Sequence, residues 1–279
     1  MSEQPRRINY RLIGHVASDA TPGGETLGGT VTYAGLTAAA LGAQVGIVTA
    51  CAADVNLQPL LGTELITFPS LETTRFKNRE LPTGRSQIIL ERAGRLTLDM
   101  LPPDWRSADI IHLAPIADEV QFNFAGELPA DRVFMTPQGW LRTWDQDGRV
   151  AHKSWENIAE IIPDARAVVC SLEDLGADLA AAREMASLTS LLAVTRSQAG
   201  ALLFIGGQKH EIAGHQVEEV DPTGAGDIFA AVFFFELVSG SDPLDAAQRA
   251  NYLAARSVTR SGLESVPTQT EIETARGSL

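Results

Sequence analysis

The chain has 279 residues, of which 44% are hydrophobic and 20% are charged, a balance that predicts a folded protein with a sizeable core. Its formal net charge is −13 and no run of Lys or Arg is long enough to follow a phosphate backbone, so nucleic acid is not expected as a partner. The apolar runs are much shorter than the roughly 20 residues of a membrane helix, and the first residues lack a signal-peptide core. We therefore expect no membrane association and a cytoplasmic protein.

Short apolar runs alternate with longer helical periods, a pattern typical of a parallel sheet covered by helices. The apolar runs predict strands at residues 8–13, 45–49, 110–113, 132–135, 167–170 and 191–195. The helical periods predict helices at residues 31–41, 118–126, 155–161, 179–188, 225–238 and 243–260. The polar tail 268–279 is either a short docked helix or a frayed end. Cys51 and Cys170 both lie in strand-like runs, which favours buried, reduced thiols.

Residues 73–98 break this alternation because they contain two strand-like runs, 83–91 and 93–98, joined by a turn. Together with residues 17–27, this hairpin could form a small β flap over one edge of the main sheet. The alternative from the pattern alone is a plain surface hairpin.

The sharpest chemical motif is Asp221-Pro222-Thr223-Gly224-Ala225-Gly226-Asp227, which directly precedes an apolar helical run. Small residues at 224–226 allow a tight turn that exposes amide N–H groups at a helix N-terminus, where an anion can bind. Asp227 would lie beside that anion and could accept a proton from an attacking nucleophile. Helix capping is the alternative, stabilising by roughly 0.3–1 kcal/mol, but it does not require three small residues.

This motif resembles the C-terminal signature of the PfkB family of carbohydrate kinases, Asp-Thr-x-Gly-Ala-Gly-Asp, with Pro222 as a departure at the second position. A second signature agrees, because Gly28-Gly29 leads into a small-residue helix that ends in Leu41-Gly42. The resemblance implies a single α/β domain over residues 1–279, a ribokinase-like three-layer αβα sandwich with a mostly parallel central sheet. It also implies a small β-sheet lid from residues 15–28 and 73–98. The implied activity is ATP-dependent transfer of the γ-phosphoryl group to a hydroxyl of a small sugar or sugar-like polyol.

In the family, an Asp five residues after the first-strand glycine binds substrate hydroxyls, and here Asp19 follows Gly14 at that spacing. A carboxylate can accept two hydroxyl hydrogen bonds, and a glycine pair allows close backbone approach to a ring. Tyr33 replaces a common Asn and narrows the pocket, so ribose or fructose specificity is not implied. Asp54 is equally well explained by turn chemistry. The candidate acceptor contacts are Asp19, Gly28, Gly29, Tyr33, Asp54, Arg85 and Arg142.

The stretch from Thr195 to Gly200 is similar to the family's phosphate loop, Thr-x-Gly-x-x-Gly, with Ser197 in place of the first Gly. Arg196 either reaches a phosphate or is an ordinary surface residue. The candidate nucleotide contacts are Thr195, Arg196, Gly200, Thr223, Gly224, Gly226 and Asn251, the last on the helix implied to line the adenine pocket. The candidate catalytic residues are Asp227 as general base and Gly224, Ala225 and Gly226, whose amides would stabilise the transferring phosphoryl group.

The family's Mg²⁺-associated Asn-x-x-Glu motif is altered to Ser171-Leu172-Glu173-Asp174. Glu173 or Asp174 could replace the Glu, although both also suit the first turn of a helix. We expect Mg²⁺ to be held mainly by donor phosphates and water, and a monovalent cation is a further candidate cofactor. An exposed face of the lid could pair with its twin and form a homodimer.

Two alternatives to the sugar kinase remain at this point. One is a nucleoside or inositol kinase of the same fold, in which Tyr33 would pack on a flat ring. The other is a non-catalytic ligand-binding protein, suggested by Ser197 and by the missing Asn before Asp174. The intact Asp221-to-Asp227 motif argues against the second alternative.

Overall fold

The computed structural model describes residues 6–21, 24–81, 84–121 and 126–278. The strands in these residues are β1 (Asn9–Ile13), β2 (Ala17–Thr21), β3 (Gly24–Gly28), β4 (Gln44–Cys51), β5 (Glu64–Pro69), β6 (Thr74–Leu81), β7 (Gly84–Glu91), β8 (Ile110–Leu113), β9 (Val133–Met135), β10 (Arg142–Trp144), β11 (Val150–His152), β12 (Ala167–Ser171), β13 (Leu191–Thr195), β14 (Ala201–Ile205) and β15 (Gln208–Ile212). The helices are α1 (Thr30–Ala40), α2 (Leu179–Ala186), α3 (Ala225–Val238), α4 (Pro243–Ser257) and α5 (Gln269–Ser278).

The central sheet has nine strands in the order β15-β14-β13-β12-β9-β8-β1-β4-β5. The strands from β13 to β5 run parallel, and β14 and β15 are antiparallel additions at one edge. In this register Ile13, at the end of β1, lies beside Val48 and Leu113. The carboxyl ends of the parallel strands therefore meet at one edge, which is where ligands bind in open α/β sheets.

Helices cover both faces of this sheet. Leu12 and Ile47 pack on the face that is covered by α1, α3, α4 and α5. Their neighbours Ile13 and Val48 point to the opposite face, toward α2 and several short 3₁₀ segments. Helix α3 is apolar on all sides and is buried over most of its length, as expected for a helix in the core. The predicted three-layer α/β fold with a mostly parallel central sheet is confirmed.

A second, four-stranded sheet has the order β3-β2-β6-β7. Strands β2 and β6 are parallel, and the other two pairs are antiparallel. The hairpin is shifted from its predicted position: its strands are β6 and β7, and residues 82–83 between them lie outside the described residues. Residues 93–98 form no strand and contribute a single bridge, Leu96 to Val120.

The small sheet is connected to the central sheet through a buried imidazole. The His15 ring lies 2.6 Å from Thr74 Oγ1 and 2.7 Å from the Gly94 carbonyl oxygen. Thr74 begins β6, and Gly94 follows β7, so both lie where the chain passes between the two sheets. Burial lowers the pKa of His15, so the neutral imidazole is the form that holds this junction.

Several predicted elements need correction. Residues 118–121 are not helical, because Asp118 has a φ of 56° and the Glu119 carboxylate accepts hydrogen bonds from the amides of Ile116 and Ala117. Residues 122–125 of that predicted helix lie outside the described residues. Residues 155–161 give only a short 3₁₀ helix, Trp155–Ile158. Four features were not predicted from the sequence: β5, β14, β15 and the β10–β11 hairpin.

No helix in the described part of the chain is both long enough and apolar enough to cross a membrane. Cys51 and Cys170 are buried and unpaired, as predicted.

Candidate active site

A cavity of about 870 Å³ opens at the carboxyl edge of the central sheet. Ser171 and Thr195, the last residues of β12 and β13, line it from that edge. Asp19, Phe76 and Gln87 line it from the small sheet. Both sheets and the first turn of α3 thus enclose one space.

The first turns of α1 and α3 meet at this cavity. The residues preceding the helices are Gly29, with φ +87°, and Gly224, with φ +82°, a backbone region that favours glycine. A Cβ added at Gly224 would lie 2.5 Å from the Tyr33 ring, so Tyr33 packs directly against the small-residue turn. Amides in the first turn of a helix have no intrahelical acceptor, so the turn at 224–227 can bind an anion. The amide of Ala225, predicted as an anion donor, instead donates to the Pro222 carbonyl oxygen at 3.3 Å.

Asp227 lies in the first turn of α3 and lines the cavity. Its Oδ1 accepts a hydrogen bond of 2.7 Å from Thr30 Oγ1. Burial raises the pKa of the Asp227 carboxyl to about 6, while the Thr30 hydroxyl and Arg142 act in the opposite direction. At neutral pH the carboxyl is mostly ionised, and its pKa is close enough to neutrality for it to accept a proton in catalysis.

Four of the predicted acceptor contacts line the cavity: Asp19, Gly29, Tyr33 and Arg142. Gly28 is buried behind them, where a Cβ would collide with the Asp19 carboxylate. Asp54 is exposed in the turn after β4 and does not line the cavity. Arg85 belongs to β7, but its side chain lies outside the part that the structure describes.

The position of Arg142 follows from two contacts. Its guanidinium donates a long hydrogen bond of 3.5 Å to the Ile116 carbonyl, and its Cζ lies 5.9 Å from the centre of the Phe76 ring. Phe76 belongs to the small sheet, and Ile116 follows β8 of the central sheet. Arg142 therefore places a positive charge between the two sheets, near the Asp227 carboxylate whose ionised form it favours.

The predicted nucleotide contacts line the same cavity; they are Thr195, Arg196, Gly200, Thr223, Gly224, Gly226 and Asn251. Ser197, which replaces a family glycine, has a φ of 50°, so the loop keeps a backbone conformation that glycine adopts easily. Asn251 donates from Nδ2 to the Ala213 carbonyl oxygen at 2.8 Å. The protein therefore uses one donor of the Asn251 amide to hold a neighbouring loop.

The two candidate metal-associated acids differ in position. Asp174 Oδ2 accepts hydrogen bonds from the amide and the hydroxyl of Ser171, at 2.9 and 2.7 Å, and it does not line the cavity. Glu173 is exposed and lines the cavity. In the described ranges no three His, Cys, Asp or Glu side chains group as a metal site would require.

Two residues that support the site, Thr30 and Glu119, were not predicted from the sequence. Thr30 holds Asp227 from a position 197 residues earlier in the chain. Glu119 is fully buried, and its carboxylate accepts hydrogen bonds from the amides of His15, Ile116 and Ala117 at 2.7–3.0 Å. It ties the end of β1 to the loop after β8. The available signal for Glu119 was the acidic pair Asp118-Glu119 directly after the apolar run 113–117.

Comparisons with known proteins agree with this geometry. The model of the pfkB family carbohydrate kinases matches residues 149–270. Inositol 3-kinase of Zea mays is 31% identical over 136 residues, which are 47% of this chain and 34% of that protein. Ribokinase of Bacillus subtilis (strain 168) is 34% identical over 97 residues, which are 34% of this chain and 33% of that protein. Each match thus spans about a third of the curated relative's length.

A solved structure extends the likeness over nearly the whole fold. It is a pyrophosphate-dependent kinase in the ribokinase family, complexed with a pyrophosphate analog and myo-inositol. Its TM-score is 0.81 at 18% identity, and the alignment covers 95% of this chain and 99% of that one. Residues 149–270 thus match the pfkB family carbohydrate kinases in sequence, and nearly the whole chain is similar in fold to a ribokinase-family kinase.

Proposed function

We propose that the protein transfers a phosphoryl group from a phosphate donor to a hydroxyl of a small sugar or cyclic polyol. The observation that carries this proposal is the position of Asp227, on the small-residue turn of α3, in a cavity that Asp19 and the Thr195-to-Gly200 loop also line. Such a site brings a proton acceptor, an anion-binding turn and a hydroxyl-binding carboxylate together. The relatives named inositol 3-kinase and ribokinase support the same class of reaction.

In the proposed reaction the Asp19 carboxylate accepts hydrogen bonds from acceptor hydroxyls and orients them. Asp227 accepts the proton of the attacking hydroxyl as its oxygen bonds to phosphorus and the bond to the leaving phosphate oxygen breaks. The amides of Gly224, Gly226 and Asp227 stabilise the negative charge on the transferring group. These roles need Asp227 ionised, as its pKa of about 6 provides at neutral pH.

Mg²⁺ fits this site as an ion held mainly by donor phosphates and water. Glu173 lines the cavity and could supply one carboxylate ligand, whereas the Asp174 carboxylate is used by the Ser171 turn. When bound, the ion would neutralise charge on the phosphates.

ATP is the first donor candidate because the predicted nucleotide contacts, including Asn251, line one part of the cavity. Pyrophosphate is the second candidate. It needs no base contact, and the Nδ2 of Asn251 already binds the Ala213 carbonyl. The similar structure of a pyrophosphate-dependent kinase supports this second donor.

The charges near Asp227 favour an uncharged acceptor. Of the charged groups that act on the pKa of the Asp227 carboxyl, Arg142 is positive, and Asp174 and Asp19 are negative. A sugar that already carries a phosphate would be repelled by this balance, whereas a neutral polyol would not. myo-Inositol and ribose are therefore the leading acceptors, with a nucleoside as the alternative.

The test is a matrix of donors and acceptors. The purified protein, with Mg²⁺ and K⁺, is incubated with ATP or pyrophosphate and with ribose, myo-inositol, adenosine or fructose 6-phosphate. Phosphorus NMR should show a new phosphomonoester with one neutral acceptor, formed in step with loss of the donor, and none when either substrate is omitted. Tight binding of a polyol by calorimetry, without product from any pair, would support a non-catalytic binding protein instead.

A further inference from the structure

Thr30 is the first residue of α1 and directly follows the Gly28-Gly29 pair. Its side chain is 2% exposed, and its hydroxyl donates to Asp227 Oδ1 at 2.7 Å. This is a contact between the first turns of two helices, so it exists only in the folded protein.

We propose that Thr30 is a positioning residue whose hydroxyl fixes the Asp227 carboxylate with Oδ2 directed toward the acceptor hydroxyl. The proposal rests on the proposed function, because it assigns the orientation of the general base. A carboxylate with one oxygen held by a donor loses rotation about its last torsion, so its other oxygen keeps one direction. Misplacing a reacting group by about 1 Å can cost on the order of 100-fold in rate.

The packing around Thr30 holds its hydroxyl in place. Gly29 has a φ of +87°, and a Cβ there would lie 2.7 Å from the His15 carbonyl oxygen, so the start of α1 sits tightly against the core. One turn later the Tyr33 ring packs on Gly224, the residue that precedes α3. The two first turns are thus fixed to each other at two points, Thr30 with Asp227 and Tyr33 with Gly224.

The groups around Asp227 determine in which direction its pKa should change when the Thr30 hydroxyl is removed. Arg142 and the Thr30 hydrogen bond favour its ionised form, whereas burial and the negative charges of Asp174 and Asp19 oppose it. Removing the Thr30 hydroxyl should therefore raise the pKa of the Asp227 carboxyl.

The experiment compares Thr30→Val and Thr30→Ala with Thr30→Ser, and with Thr32→Val as a matched control. Thr32 lies in the same turn, is fully buried, and donates from its hydroxyl to the Gly28 carbonyl at 2.7 Å, so its loss removes an equivalent bond away from Asp227. The first readout is carbon NMR titration of the Asp227 carboxyl, assigned with Asp227→Asn. The second is steady-state kinetics with the best donor and acceptor.

We expect a higher titration midpoint and at least about a tenfold lower kcat in Thr30→Val and Thr30→Ala, with the acceptor KM within about twofold. Thr30→Ser should restore both readouts, and Thr32→Val should keep the parental midpoint. An unchanged midpoint in both Thr30→Val and Thr30→Ala, or an equal shift in Thr32→Val, would overturn the role of Thr30. Absence of transfer by the parent protein would overturn the proposed function, while the titration would still decide whether Thr30 controls Asp227.

Discussion

The pH dependence of kcat/KM follows from the Asp227 carboxyl, whose pKa burial raises from 3.8 to about 6. kcat/KM reports ionisations of the free enzyme, the state to which this value belongs. A general base must be ionised, so activity should rise with pH through about 6 and reach a plateau above about 7. With a pKa of about 6 the ionised fraction is about 0.99 at pH 8 and about 0.09 at pH 5, so kcat/KM should fall roughly tenfold. An Asp at 3.8 would remain about 94% ionised at pH 5.

The assay measures initial rates at acceptor concentrations below KM, with a saturating donor, between pH 5 and 8. Samples returned from pH 5 to pH 8 must regain full activity, which excludes unfolding as the cause of the loss. His215 also lines the cavity and carries an imidazole, so His215→Gln is the control. A profile that stays flat down to pH 5, or an acidic limb that disappears in His215→Gln, would refute the assignment of this ionisation to Asp227.

Three further predictions test other parts of the site and the core. Asp19→Asn should raise the acceptor KM by about 10- to 100-fold with an unchanged donor KM, because it removes charge-assisted hydrogen bonds to hydroxyls; equal effects on both KM values would place the acceptor elsewhere. Gly224→Ala should lose stability, by about 1–2 kcal/mol of left-handed strain, and also activity, because its Cβ would meet Tyr33. The control is Gly240→Ala, because Gly240 has a similar φ of +93° but an added Cβ there would meet no atom within 4 Å. This variant should lose stability and keep its activity, so equal kcat values for the two variants would contradict the role of the Gly224 turn. Burial lowers the pKa of His112 from 6.5 to about 3. The neutral, buried imidazole therefore contributes fully to the free energy of unfolding above about pH 6.5, and this contribution is lost as the pH falls toward 3. The free energy of unfolding, measured with urea, should therefore fall from pH 7 to pH 5 by about 2 kcal/mol less in His112→Gln than in the parent. Equal decreases in the two proteins would show that the pKa of His112 is not lowered.

The fold was predictable where the sequence pattern depends on burial alone. Strands such as β12 and β13 are apolar up to their last residues, because both faces of a central parallel strand are covered. Helix α3 was predicted with its observed bounds because glycines precede an unbroken apolar run. Strands β5 and β15 are partly exposed, and their mixed patterns carry a weaker signal.

The site was predictable to the extent that its residues lie in local motifs. The turn at 224–227 and the Gly28-Gly29 pair are rich in glycine, so the sequence itself shows that the backbone turns tightly there. The hydrogen bond between Thr30 and Asp227 joins residues 197 positions apart, so only the packing of α1 against α3 reveals it. The same limit applies to Glu119. The sequence pattern placed it in a helix, whereas its carboxylate accepts hydrogen bonds from backbone amides that follow β1 and β8.

Asp227→Asn tests whether the Asp227 carboxylate accepts the proton of a hydroxyl during phosphoryl transfer. Asn is nearly isosteric and can still accept a hydrogen bond from Thr30, so the variant should fold normally and bind donor and acceptor in calorimetry much as the parent does. Loss of a general base typically costs about 10²–10⁴ in rate, and we expect kcat to fall within the upper part of that range. A variant that binds both substrates and retains more than about a tenth of the parental kcat would show that Asp227 is not the general base.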